Sequence, residues 1–166
     1  MAEEVVLLAT GTDRPGIVDE LSQFLLEAGG NITDSRSVNL RGQFALMMLV
    51  HGEKDAIERI RAGLSAATKG DMKLDLRAAA QTDTTTFPFL FIATGKDQAG
   101  VLHRISHLLR ALNVNIEHIT THVAPDSSFE VRLGLSVQRE TPVTMLRDYL
   151  TYLCNELGIS GHLREA

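Results

Sequence analysis

A tandem α+β fold, two ferredoxin-like βαββαβ units each with an antiparallel four-stranded sheet and two helices on one face, is predicted by three observations. The chain repeats itself at an offset of 84 residues: Ala9-Thr10-Gly11-Thr12-Asp13-Arg14-Pro15-Gly16-Ile17-Val18 aligns on Ala93-Thr94-Gly95-Lys96-Asp97-Gln98-Ala99-Gly100-Val101-Leu102, without a gap as far as Asn31-Ile32 and Asn115-Ile116. Between positions 5 and 32 nine residues are identical (Ala9, Thr10, Gly11, Asp13, Gly16, Ser22, Leu25, Asn31 and Ile32), and most other differences exchange one apolar residue for another. Within each copy the hydrophobic period alternates between strand-like and helix-like in the order β-α-β-β-α-β, the split βαβ arrangement.

Taken in order, residues 4–11 form an apolar, β-rich run closed by Gly11, repeated at 89–95. Pro15 stands where a helix would begin, since its fixed φ and missing N–H suit the first helical position. Ile17, Val18, Leu21, Phe24, Leu25 and Ala28 follow helical spacing, and Gly29-Gly30 ends the run. Leu102, Ile105, Leu108, Leu109 and Leu112 do the same in the second copy. Residues 31–40 and 43–51 flank Arg41-Gly42, a tight hairpin signal. Residues 115–123 and 129–137 flank a longer loop, 124–128. A second helix carries Ala56, Ile57, Ile60, Leu64 and Ala67 on one face, and its counterpart Val143, Leu146, Leu150, Leu153 and Leu157. Short strands close each copy at 72–78 and 159–163. The polar run at 81–87 breaks the periodicity, giving domains 1–80 and 88–166 with a linker between them. Sheets covered on one face leave the other face and the edges open, which favours a homodimer.

Composition narrows the function classes. The chain has 166 residues, 44% of them hydrophobic and 22% charged, as a globular protein has. Its longest uncharged apolar run, Phe44 to Val50, falls far short of the roughly 20 residues of a membrane span. An acidic start, Met-Ala-Glu-Glu, and a single cysteine point away from secretion and disulfides and toward the cytoplasm. Net charge is −5, divided as −3 over residues 1–82 and −2 over 83–166, so direct nucleic-acid binding starts at a disadvantage.

The feature that calls for explanation is the repeated Asp-x-x-Gly with Asn-Ile fifteen residues beyond the glycine. Asp13 and Asp97 fall between the first strand and the first helix, and Gly16 and Gly100 in that helix's first turn, where glycine is a poor helix former. Free N–H groups at a helix start favour a carboxylate. Asp13 or Asp97 would face an ammonium group, and Asn31 or Asn115 would offer an amide to either end. That set suits a zwitterion. The same residues suit a scaffold in which Asp caps the helix, Gly packs tightly and Asn takes an unusual φ.

Other chemistry finds less support. His103 and His107 are four apart on a helix and His118 and His122 four apart on a strand, yet none has a histidine counterpart in the first copy and nothing completes a metal-binding pattern. Cys154 falls on the apolar side of the last helix, as a core residue would. No nucleophile elbow or phosphate loop is present. With no Trp, two Tyr and six Phe, the sheets lack the aromatics used to stack RNA bases, Phe44 and Phe129 being the nearest candidates.

Thr12-Asp13-Arg14-Pro15-Gly16-Ile17-Val18, Gly30-Asn31-Ile32-Thr33-Asp34-Ser35-Arg36 and Phe44 to Val50 together resemble the ACT domain family, amino-acid-sensing modules with this βαββαβ order. The resemblance is strong over residues 4–52 and looser over 88–138. It implies an effector site at Asp13, Arg14, Gly16, Ile17, Asn31 and Ile32, with Asp97, Gly100, Val101, Asn115 and Ile116 as counterparts. Such effectors sit where two ACT domains meet, so Asp34, Ser35 and Arg36 are expected at the interface, a surface salt bridge being their plainer role. The second copy departs from the pattern, with Gln98-Ala99 for Arg14-Pro15 and Glu117-His118-Ile119-Thr120 for Thr33 to Arg36, so the first is expected to be the binding copy. The implied function is a non-catalytic regulator without cofactor or metal. It would bind an amino acid such as glycine and control a protein partner, a transcriptional activator for instance, without touching DNA or membrane. A ligand-free adaptor and a trans-acting subunit regulating an amino-acid metabolic enzyme are the alternatives.

Overall fold

The computed structural model describes residues 1–80 and 86–166, and the chain divides into two compact units, Met1–Gln81 and Thr82–Ala166. In the first, β1 (Ala2–Thr12), α1 (Ile17–Glu27), β2 (Asn31–Leu40), β3 (Gln43–Glu53), α2 (Lys54–Gly63) and β4 (Lys73–Ala78) follow in order, with a 3-10 turn at Leu64–Ala66. The second repeats this as β5 (Thr86–Lys96), α3 (Val101–Ala111), β6 (Asn115–Val123), β7 (Ser128–Gln138), α4 (Val143–Leu157) and β8 (Ser160–Glu165). Both sheets are antiparallel, in the orders β2-β3-β1-β4 and β6-β7-β5-β8. The βαββαβ fold class is therefore as the periodicity predicts. Of the linker expected at 81–87, residues 81–85 lie outside the described ones, while Thr86 and Phe87 already pair with Gln138 and Val137.

Each core forms where the strand and helix periods meet. Val5, Leu7 and Ala9 of β1 alternate inward against Leu46, Met48 and Val50 of β3, under Ile17, Leu21 and Leu25 of α1 and Ile57 and Ile60 of α2. Phe89, Phe91 and Ala93 do the same under Val101, Ile105, Leu109, Leu146 and Leu150. Cys154 is part of this second core, and burial pushes its thiol above the ordinary range, away from nucleophilic use. The helix faces are narrower than spacing suggests: Val18 and its counterpart Leu102 both point to solvent.

Local chemistry accounts for the turns. Arg41 (φ 50°) and Gly42 (φ 80°) make the two-residue turn whose twist matches a hairpin. α1 ends with Gly29 at φ 85° and the Gly30 N–H on the Leu25 carbonyl at 2.8 Å; α3 ends with Asn113 at φ 55° and Val114 on Leu109 at 2.9 Å, so both helices close by the same left-handed cap. Both second strands carry a register shift, between Ile32 and Asp34 and between Ile116 and His118, that period-2 reasoning did not foresee. Pro15 does not begin a helix. The chain turns through Gly16 at φ 91°, the N-cap, and α1 starts at Ile17; Gly100 at φ 90° does the same for α3. The repeated glycines answer to a left-handed backbone rather than to tight packing.

Candidate functional site

The loop entering α1 is pinned from two sides. The Asp13 N–H donates to the Gly42 carbonyl at 2.9 Å, and the Asn39 amide donates to the Asp13 carboxylate, tying the loop to the hairpin tip. Asp13 therefore does not cap the helix, and α1 has no side-chain cap at all. From the other side, the Thr12 hydroxyl and N–H donate to Asp71 at 2.7 and 3.3 Å, which holds that carboxylate below its usual range.

Arg14 is the centre of this anchoring. Its guanidinium grips Glu20 with two bonds, 2.8 and 2.6 Å, and also donates to the Thr68 hydroxyl at 3.1 Å and the Lys69 carbonyl at 2.9 Å. Glu20 accepts further from Thr68 at 2.9 Å and from the Lys69 N–H at 3.3 Å. With Arg14 and then Thr68 as the main causes, its carboxyl is held down to about 2. The expected ligand role of Arg14 meets a side chain already committed to its own fold.

The second unit keeps the loop and loses the anchor. The Asp97 N–H still donates to the hairpin, to Ser127 at 2.8 Å, but Gln98 makes one bond, to the Leu157 carbonyl at 2.8 Å. Beside it lies a cavity of about 500 Å³, with Asp97, Gly100, Ser106 and Thr121 at its polar edge and Phe129 and Val131 among its apolar lining. As in the first unit, the helix start has no side-chain cap, so its first N–H groups face outward without an intrahelical acceptor.

The expected constellation is not assembled within one unit. Asn31 pairs with His51 and His51 with Glu4, whereas the loop follows Thr12, opposite Gln43. Eight strand residues separate Glu4 from Thr12, about 27 Å. Asn115, opposite Ser136 and hence Pro88, is as far from Asp97. Its amide donates to Glu117 at 2.8 Å, and it lines a separate cavity of about 390 Å³ with Arg110, Asn113, Ile116 and Gln138. Neither asparagine has the positive φ of the scaffold reading; Asn113 does. Ile17 and Val101 are core residues, 2% and 5% exposed, and Ile32 and Ile116 pack half-buried on the cores. Asp34, Ser35 and Arg36 lie exposed on the edge strand β2, with Asp34 paired to Arg36.

The histidines disperse. His103 and His107 sit 6.1 Å apart, ring to ring, on α3, while the His118 ring lies over Gly134, where any Cβ would overlap it. Among the described residues no three His, Cys, Asp or Glu side chains converge as metal ligands, and no helix is long and apolar enough to cross a membrane. Sequence reasoning missed Glu20, Asn39, Thr68 and Asp71. Only the antiparallel register of β1 and β4, Thr10 opposite Lys73, brings residues near 71 to the loop. The repeated Gly11 and Gly95 were a signal of that approach: a Cβ there would meet Met72 at 2.6 Å and Ile159 at 2.7 Å.

Comparison with known proteins agrees with this architecture. The ACT domain family model matches residues 3–77. The glycine cleavage system transcriptional repressor of Escherichia coli (strain K12) is 26% identical over 170 aligned positions, covering 96% of this chain and 88% of that protein. Among solved structures, an unknown protein from Galdieria sulphuraria superposes with a TM-score of 0.90 at 23% identity, over 100% of this chain and 99% of that one. A structure assigned to a glycine cleavage system transcriptional repressor gives 0.74 at 23% identity, over 99% and 97%. At such identities the two structures speak to fold alone. The ACT domain model thus matches nearly the whole of the first unit, and the second unit repeats the fold of the first.

Proposed function

We propose that this chain is a non-catalytic regulator that binds a small amino acid at the loop-and-helix start of its units and passes that signal to a protein partner. One observation carries the reading: an uncapped helix start, entered through a left-handed glycine and flanked by Asp97, opens on a cavity of about 500 Å³. A carboxylate would sit on the free N–H groups, favoured by the helix dipole, and the ammonium would turn to Asp97. The apolar wall of Phe129 and Val131 suits a small side chain or none, so glycine is the first effector to try. The cavity and the unanchored loop make the second unit the better binder, the reverse of the expectation drawn from Arg14-Pro15.

The distance from Asp13 to Asn31 is part of this reading. A second copy pairing antiparallel along the β2 edge would bring its Asn31 beside the loop of the first, since β2 runs from Asn31 to the hairpin that Asp13 holds. The two-fold axis of such a pair would pass between Ser35 and Arg36, the middle of the strand. That is where Asp34, Ser35 and Arg36 were expected to act. The Escherichia coli relative is a transcriptional repressor by name. With a net charge of −5, contact with a transcription factor in the cytoplasm is a better route for this chain than contact with DNA.

Calorimetry and thermal shift with glycine and the other common amino acids test the proposal. At a hundred times its dissociation constant an effector stabilises by about 2.7 kcal/mol. Asp97→Ala should abolish that shift, and Asp13→Ala should reduce it less. If no amino acid stabilises the wild-type chain at millimolar concentration, the effector reading is wrong.

A further inference from the structure

The helices of the first unit cover one face of its sheet, and strand register fixes what the other face carries. Directly opposite residues across β2, β3, β1 and β4 form rows on that outer face. Asp34, Leu49, Val6 and Arg77 make one row, and Arg36, Met47, Leu8 and Asp75 the next. Each row is apolar in the middle and charged at both ends. Met47 is 50% exposed, Val6, Leu8 and Leu49 are half-buried, and none of the four belongs to the core. Adjacent apolar side chains on an open sheet face, rimmed by charges, have the composition of a protein contact.

The charges at the row ends are crossed. On β2 Asp34 comes two residues before Arg36, and on β4 Asp75 two before Arg77, each pair bridged along its own strand, the second at 2.7 Å. Register then gives the acid of one edge the same row as the base of the other. The second sheet has no such pattern. At the equivalent positions Arg132 and Gly134 replace Met47 and Leu49, with the His118 ring laid over Gly134. Its row ends are His118 and Arg164, and Thr120 and His162, none of them acidic.

A crossed pattern of this kind is its own complement. We propose that the outer sheet face of the first unit stacks on the same face of a second copy of this chain, about a two-fold axis that runs along the strands between the two sheets. Such an axis sets β2 over the partner's β4 and β3 over its β1. Asp34 then faces the partner's Arg77, and Arg36 the partner's Asp75. In the middle, Met47 faces the partner's Leu8, and Leu49 the partner's Val6. Symmetry repeats each contact, so four ion pairs surround an apolar centre. Sheets packed face to face lie about 10 Å apart, a gap that an arginine and an aspartate close by reaching from opposite sides. Beyond these rows Val38 falls over the partner's Lys73, whose aliphatic stem it covers. The patch is about 19 Å across, four strands at ~4.8 Å, so association in roughly the micromolar range is expected. Pairing along the β2 edge uses that strand's backbone and leaves this face open, so the two contacts do not compete.

Sedimentation velocity on the full chain, without amino acids, tests this up to about 200 micromolar. One variant exchanges the charges of β2, Asp34→Arg with Arg36→Asp; the other exchanges those of β4, Asp75→Arg with Arg77→Asp. Each keeps the net charge and an opposite-charge pair on its own strand, and each sets like charges together at all four contacts. The wild type should associate, and each variant alone should have a dissociation constant raised roughly tenfold or more. An equimolar mixture of the two variants should associate as the wild type does, because exchanged β2 meets exchanged β4 and native meets native. Met47→Glu, at the centre, should weaken association as well, and circular dichroism melts report that each variant is folded. A monomeric wild type or a mixture without recovery overturns the proposal. So does an exchange without effect, which would place the axis across the strands or the dimer at the β2 edge. Since no effector enters the experiment, its failure would leave the amino-acid reading standing.

Discussion

The loops entering α1 and α3 share a backbone and differ in what holds them. In the first unit, Arg14, Thr12 and their partners Glu20, Thr68, Lys69 and Asp71 fasten the loop to the chain between α2 and β4. In the second, α4 runs on to Leu157 and that connection shrinks to a few residues, leaving the Gln98 amide on a helix-end carbonyl and a cavity alongside. The left-handed glycine, the bond to the hairpin tip and the uncapped helix start are common to both. A duplicated unit thus keeps the backbone geometry that the fold needs while the side chains around it separate into a braced copy and an open one.

The comparison first needs the two frames to be equally firm. Leu25 and Leu109 are repeat-equivalent, each wholly buried under its helix. Leu25→Ala and Leu109→Ala should each cost about 3 kcal/mol, by lost burial and the cavity left behind. Urea denaturation of both variants checks this. Costs that differ by more than about 1.5 kcal/mol would mean that the cores, and not only the loops, have diverged.

A smaller effect isolates the brace. Arg14→Gln gives the first unit the residue of the second. The Glu20 carboxyl, at 4.5 in an unfolded chain, is held down to about 2 in the fold. Its contribution is therefore complete above pH 4.5 and is lost as pH falls toward about 2. Wild type should melt higher than Arg14→Gln at neutral pH, and the gap should close as acid protonates Glu20. Melting curves across that range decide it; a gap that does not change with pH would place the value of Arg14 in packing instead of charge.

The frame was legible because apolar spacing and the repeat report the same thing twice, from Val5 to Leu163. The site was legible only in part. Asp13, Gly16 and Asn31 recur together, and recurrence marks a requirement without giving its cause. For Gly16 the cause is a φ of 91°, while the Asp13 carboxylate accepts from Asn39 at the hairpin, where the second copy has Val123. Asn31 lies about 27 Å away at the far end of a strand, because the helix between them carries the chain back along the sheet. Thr68 and Asp71 left no trace in local spacing, since they reach the loop only through strand register.

The smallest expected difference lies at the opposite ends of the same helices. Gly29 and Asn113 hold equivalent left-handed positions, at φ 85° and 55°. Glycine adopts this region freely, and asparagine is the residue that tolerates it next best. Asn113→Gly therefore relieves a little strain and adds unfolded-state entropy, two terms of opposite sign that should leave stability within about 0.5 kcal/mol. The reverse swap is not symmetric. A Cβ at Gly29 would come within 3.2 Å of the Arg59 guanidinium, which donates to the Ala28 carbonyl at 3.0 Å and so caps α1. Gly29→Asn must push that side chain aside as well as strain the backbone, and should cost about 1 kcal/mol. Equal effects from the two swaps would show that Arg59 yields without cost; unequal ones would make the first unit the more tightly fitted at both ends of α1.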